Sequence, residues 1–187
     1  KKNKNKFKKK FSDLLLTFGG SDKFNLSKKI FLKIKDLCKE NEINIHIVVG
    51  PGYGYFEDLK KIVELTNKQL NKNFRHSITK SPNSIAKIML KCQFAISSNG
   101  RTTFELAHLG LPSIVISQHR RELTHNFSTE ENGFINLGLF QRNSTLEKIY
   151  DNIQKIILCS NCRKKLHTKM KKFNFNKNKK IIKKIIS

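Results

Sequence analysis

Ser97-Ser98-Asn99-Gly100-Arg101-Thr102-Thr103-Phe104-Glu105-Leu106-Ala107-His108-Leu109-Gly110-Leu111-Pro112 is the stretch that decides the fold. Phe94-Ala95-Ile96 runs into Ser97 as a short apolar strand, and the Ser-Asn-Gly turn ends it. Residues 101–109 then read as a helix. Gly110-Leu111-Pro112 stops that helix, because glycine accepts the left-handed exit conformation and proline cannot continue the hydrogen-bond ladder. Ser113-Ile114-Val115-Ile116 is the next apolar run. Strand, polar turn, helix, stop and strand form one repeat unit of an α/β domain.

The same alternation extends outward in both directions. Leu14–Phe18 is a buried-type strand closed by Gly19-Gly20, and Ile45–Val49 is a second, closed by Gly50-Pro51-Gly52. Phe74–Ile78 and Phe134–Leu137 complete a set of six. Between them, helical spacing of apolar residues predicts helices over 25–40 (capped by Asn25 or Ser27), 56–70, 119–131 and 144–158. Another helix is expected to open at Ser81-Pro82, since proline suits a first helical position. Six strands alternating with helices predict an open, mostly parallel, Rossmann-like sheet with helices on both faces. In that fold the first and fourth strands are neighbours where the strand order reverses, and ligands bind beyond the carboxyl ends there. The turns at 19–22 and 97–102 would then face one cleft.

Composition narrows the function classes. The chain has 187 residues, 14 of them Phe, and 37% hydrophobic content, which is enough for a core. Its net charge of +24 resembles that of a nucleic-acid binder. The charge is concentrated at the ends: residues 1–10 carry seven Lys, 163–187 carry eleven Lys or Arg, and neither segment holds an acid. Residues 11–162 have a net charge of only +6. The basic residues are 32 Lys against 6 Arg, whereas bidentate reading of bases and phosphates favours Arg. The expected organisation is a basic linker at 1–12, a domain at 13–160, and a basic helix or tail at 161–187. Specific nucleic-acid binding is not expected. The basic ends suit contact with an anionic membrane surface, at about 1 kcal/mol per nearby Lys. No apolar run approaches the ~20 residues of a membrane span. The sequence opens without Met in a Lys-Asn run, which suggests a fragment of a longer protein. Four Cys do not make a disulfide framework in a domain of this size, and Cys159-Ser-Asn-Cys162 is expected to hold reduced thiols.

Several motifs carry chemistry. Gly19-Gly20-Ser21-Asp22 lets backbone N–H groups approach an anion, with the Ser21 hydroxyl as a further donor. It is neither a GxGxxG nor a Walker loop, and on its own it also fits an ordinary strand-to-helix turn. Ser98–Thr102 leads into a helix N-terminus, itself a phosphate site. Glu105 has two readings: Thr102-x-x-Glu105 fits a capping box, and a free carboxylate there would accept both hydroxyls of a ribose. His119 and His125 either face the cleft or lie in a solvated helix start. His46 reads as a satisfied core residue, while His76, His108 and His167 show no partner signal. No metal spacing or cofactor motif is present, so no cofactor is expected.

Taken together, Leu15–Asp22, Val48–Tyr53, Ser97–Pro112 and His125-Asn126 resemble the C-terminal domain of the GT-B nucleotide-sugar enzymes. The similarity covers about 13–160. The spore-coat polysaccharide glycosyltransferases and the UDP-sugar hydrolase of pseudaminic acid synthesis fit best, because Arg101-Thr102 is typical of those two. The peptidoglycan N-acetylglucosaminyltransferase is a more distant relative, with a small residue in place of Arg101. The resemblance implies that Gly19, Gly20 and Ser21 lie against a diphosphate, and that Asn99, Gly100, Arg101 and Thr102 meet phosphate or sugar. Glu105 would hold the ribose diol, backbone near Ile78 would read uracil, and His125 and Asn126 would complete the substrate site. It further implies a UDP-sugar partner and a separate N-terminal GT-B domain carrying the acceptor and catalytic residues, which this chain lacks; the expected setting is cytoplasmic, where the basic ends allow peripheral contact with the inner face of the membrane. The competing reading is a non-catalytic basic α/β module for nucleic acid or an anionic surface. A third is a paralogue that binds without reacting.

Overall fold

The computed structural model describes residues 5–70 and 74–173. Six strands form one sheet: β1 (Asp13–Thr17), β2 (Asn44–Val49), β3 (Ser77–Lys80), β4 (Phe94–Ser98), β5 (Ser113–Ser117) and β6 (Phe134–Leu139). All pairings are parallel and the order is β3-β2-β1-β4-β5-β6. The Rossmann-like order expected from sequence is therefore present, and β1 and β4 lie side by side at the reversal.

Among the described residues there are six α-helices: α1 (Leu26–Glu40), α2 (Phe56–Lys68), α3 (Ile85–Lys91) and α4 (Thr102–Leu109) connect successive strands from β1 to β5, and α5 (Arg142–Leu158) and α6 (Ser160–Met170) follow β6. Alternate strand residues serve opposite faces. Leu14, Leu16, Ile45, Ile47, Phe94, Ile96, Ile114 and Ile116 pack with Ile30 and Ile34 of α1, Leu59 and Val63 of α2, and Ile149 and Ile153 of α5. Leu15, Val48, Ala95 and Val115 pack with Met89 of α3, Leu106 and Ala107 of α4, and Met170 of α6. Strands buried on both sides explain why their sequences read as continuous apolar runs. Each fully buried Leu or Ile contributes roughly 1.5–3 kcal/mol. Among the described residues no helix is long and apolar enough to cross a membrane.

Four local expectations are corrected. The third strand is Ser77–Lys80, because Phe74 and His76 turn inward and stack edge-to-face before the strand begins. The helix expected from Ser81-Pro82 starts at Ile85, with Ser84 extended at its N-cap position. The segment 119–131 holds only 3₁₀ turns at Arg120–Thr124 and Glu130–Asn132, neither of which buries a residue. Neither Asn25 nor Ser27 caps α1 with its side chain; the buried Asp22 carboxylate accepts from the Leu26 and Ser27 N–H groups, both at 2.8 Å. Asp22 thereby satisfies two of the unpaired donors that open any helix.

The basic ends are in part built into the domain. Asn5 donates to the carbonyls of Met89 and Cys92, Phe11 is buried, and the buried Arg163 donates to the Lys9 carbonyl. Leu166, His167 and Met170 of α6 are also buried. The charge-rich residues 1–4 and 174–187 lie outside the described set.

His46 is satisfied in the core, as its setting in an apolar strand implied. Its Nε2 donates to Asp13 Oδ1 at 2.8 Å, and its Nδ1 lies 2.8 Å from Ser77 Oγ, so one side chain stitches β1, β2 and β3 together. Burial works against the Asp13 charge, but hydrogen bonds from His46 and Ser12 and the electrostatic pull of Lys91 and His46 outweigh it and hold its pKa at about 2. A carboxylate with a depressed folded pKa stabilises the fold above its ordinary value of 3.8, and this stability is lost as pH falls through about 2. The contribution is on the order of 2 kcal/mol. Urea unfolding of Asp13→Asn at pH 7 is expected to show that loss, with the gap to wild type closing between pH 4 and pH 2.

Candidate functional site

At the carboxyl end of the sheet, the turns after β1, β2, β3 and β4 enclose an open cleft of about 510 Å³. Gly19 and Gly20 form its floor, Gly50 and the Ser81–Ala86 segment form one side, and Thr102 and Glu105 of α4 form the other. The floor depends on glycine at Gly50. A Cβ there would lie 2.4 Å from both the Cα and the carbonyl oxygen of Gly20, so the β1 and β2 turns touch backbone to backbone. The Gly52 N–H donates to the Gly20 carbonyl at 3.0 Å and locks that contact. Gly20 itself has nothing within 4 Å of a built Cβ: its side faces open space.

Helix α4 presents its N-terminus to the cleft through Thr102. The Thr103 hydroxyl and N–H both donate to the Gly100 carbonyl, at 2.7 and 3.1 Å, tightening the first turn. No side chain caps this helix, so the capping box read from Thr102 and Glu105 is not formed. Glu105 is exposed on the cleft wall instead. An open glycine turn and a helix N-terminus suit an anion, while a free carboxylate suits paired hydroxyl donors.

Behind the α4 turn sits a polar lock. Asn99 is buried; its side-chain amide donates to the Glu122 carbonyl at 2.8 Å, and its backbone carbonyl accepts from His125 Nδ1 at 2.6 Å. Glu122 Oε2 accepts from the Gln118 N–H at 2.6 Å, and the Gln118 amide donates to the Phe18 carbonyl at 3.1 Å. The turns after β1, β4 and β5 are thus held as one unit. The Asn99 side-chain oxygen is buried with no hydrogen-bond partner.

Of the residues singled out from sequence, Gly19, Gly20, Thr102 and Glu105 line the cleft. Ser21 and Arg101 are exposed on the two turns beside it. Asn99 and His125 belong to the neighbouring lock, Gly100 leads from it into the first turn of α4, Asn126 is exposed beyond it, and Ile78 lies half-buried on the edge strand β3. His119 packs its ring on Phe24, with centroids 5.4 Å apart. Sequence reading missed the Ser81-Pro82-Asn83-Ser84 wall, although a polar turn directly after a strand was a usable signal. It also missed Gln118 and Glu122, whose roles depend on partners far away in the chain. Among the described residues, no group of three or more His, Cys, Asp or Glu is placed to hold a metal ion.

Comparison with known proteins bears out the fold. The chain is 27% identical over 144 residues to the pseudaminic acid cytidylyltransferase and UDP-2,4-diacetamido-2,4,6-trideoxy-beta-L-altropyranose hydrolase of Helicobacter pylori, covering 76% of this chain and 23% of that protein. It is 33% identical over 111 residues to an uncharacterized protein of Methanocaldococcus jannaschii, covering 59% of this chain and 22% of that protein. MurG of Acinetobacter baumannii shares the fold at a TM-score of 0.60 and 16% identity, covering 85% of this chain and 44% of that one. A glycosyltransferase of Rickettsia africae does so at 0.57 and 15% identity, covering 94% and 48%. The chain spans less than half the length of each of these proteins. Residues 14–185 match the glycosyltransferase family 28 C-terminal domain, and the chain belongs to this family.

Proposed function

We propose that this chain is the UDP-sugar-binding domain of a glycosyltransferase or nucleotide-sugar hydrolase acting in surface polysaccharide or glycan biosynthesis. The observation that carries the reading is the opposition, across one cleft, of the open Gly20 turn and the α4 N-terminus, with Glu105 beside them and not spent on a helix cap. The diphosphate lies over Gly19, Gly20 and Ser21 and reaches Thr102 and Arg101. Glu105 accepts both ribose hydroxyls, and backbone near Ile78 reads the uracil edge. Negative charge that develops on the departing nucleotide meets backbone N–H groups and the Arg101 guanidinium, which stabilise it without reorganisation.

Asn99, Gly100, His125 and Asn126 set the sugar side of the site, with the Asn99 lock fixing the turn. The acceptor and the group that activates it belong to a partner N-terminal domain. A cytoplasmic location at the inner membrane face fits the Lys-rich ends, whose charges favour anionic lipid. Titration calorimetry of this chain tests the binding role. UDP is expected to bind at least tenfold more tightly than UMP, because the second phosphate reaches the α4 N-terminus. Equal affinities for the two would overturn the placement of the diphosphate.

A further inference from the structure

Far from that cleft, α5 and α6 meet at a one-residue break, Cys159. Contrary to the expectation of reduced thiols, Cys159 is disulfide-bonded to Cys162, with Cα atoms 5.3 Å apart. Both residues are half-buried. Cys159 occupies the N-cap position of the eleven-residue α6, and its sulfur accepts from the Cys162 N–H at 3.1 Å. A sulfur placed there becomes a stabilised thiolate once reduced, because the helix N-terminus and a backbone N–H both favour its negative charge. The charged residues of α6 and of the last turn of α5 act in the same direction, since from Lys155 to Met170 they are all basic.

Cys162 also lines a cavity of about 460 Å³ between β6, α5 and α6. Lys155, Lys165, Lys169, Glu130 and Asn136 share that lining, and Glu130 is paired with Lys169 at 3.1 Å. Lys155 and Lys165 remain to draw an anionic small molecule. The other two cysteines differ: Cys38 and Cys92 are fully buried, and desolvation pushes both thiols up, that of Cys38 to about 12.

We propose that Cys159 and Cys162 form a reversible redox site that exchanges its disulfide with small anionic thiols of the glutathione class entering through this cavity. The thiolate of one small thiol attacks the Cys162 sulfur, forming a mixed disulfide and releasing the Cys159 thiolate, which is the better leaving group. A second small thiol then attacks the mixed disulfide. The Cys162 thiolate departs and takes up a proton, and the two small thiols leave as their own disulfide. Two electrons pass to the protein for each pair of thiols oxidised. Reduction frees the α5–α6 break, where Arg163 holds α6 to the Ile156 carbonyl of α5 and to the Lys9 carbonyl.

The test uses the whole chain in glutathione buffers whose ratio of squared reduced to oxidised concentration spans about four orders of magnitude, with acid quenching and maleimide mass-tagging. The expected result is a two-electron transition in which two thiols per chain titrate, absent in Cys159→Ser and in Cys162→Ser. Cys38 and Cys92 should stay untagged until the protein is denatured. Reduction by glutathione should also outpace that by neutral 2-mercaptoethanol of matched thiolate concentration, with the advantage lost at high salt. Two free thiols at every ratio, or a disulfide that resists excess dithiothreitol in the folded chain, would overturn the proposal. So would equal rates for the two thiols. None of these readouts depends on nucleotide binding.

Discussion

Gly50→Ala is expected to unsettle the domain more than any other single methyl group added near the cleft. The new Cβ meets the Cα and carbonyl oxygen of Gly20 at 2.4 Å, and both are backbone atoms that cannot swing aside. The turns after β1 and β2 must separate, and the Gly52 N–H loses its bond to Gly20. Overpacking of this kind costs about 3 kcal/mol, or roughly 6–12 °C in Tm for a chain of this size. Gly20→Ala is the matched control. Its Cβ enters open space, so Tm should stay within about 1 °C of wild type. UDP affinity should nevertheless fall about tenfold or more, because the methyl group occupies the surface offered to the diphosphate. Thermal melts and calorimetry on the two variants separate what glycine does for the fold from what it does for a ligand. If Gly20→Ala binds UDP as wild type does, the diphosphate does not lie on that turn.

The contrast between these glycines also shows which information the sequence carries locally. The sheet was readable because each strand is an apolar run bounded by glycine or a polar turn, and the parallel order follows from repeated strand–helix alternation. The adjacency of β1 and β4 follows from that order. What was not readable depends on distant partners. Residues 119–131 have plausible helix formers, but the Gln118 to His125 path is bent around Asn99, which bonds the Glu122 carbonyl and His125 Nδ1 from 23 and 26 residues earlier. Asn25 looked like the cap of α1, yet it takes a left-handed φ of 53° and leaves capping to Asp22. Pro82 looked like a helix start, yet it belongs to the cleft wall. Cys159 and Cys162 read as reduced thiols, yet the break between α5 and α6 brings their Cα atoms to 5.3 Å and they are paired.

Glu105 is where sequence left two readings open and the structure removes one. In a capping box the carboxylate reaches back to its own helix start, and its loss would cost about 1 kcal/mol of stability. Here no side chain caps α4 and Glu105 is exposed on the cleft wall, so Glu105→Ala should leave the thermal midpoint unchanged. Its expected effect is on the ligand. Charge-assisted hydrogen bonds to two hydroxyls contribute about 2–3 kcal/mol, so UDP affinity should drop roughly 30- to 150-fold. The decisive measurement pairs the mutation with a change in the nucleotide. Wild type should bind 2′-deoxy-UDP at least tenfold more weakly than UDP, whereas Glu105→Ala should bind the two equally. That pattern places the carboxylate on the ribose diol itself. A variant that weakens UDP and 2′-deoxy-UDP by the same factor would show that Glu105 acts at a distance, through the charge of the cleft, and would take the ribose from its side of the site.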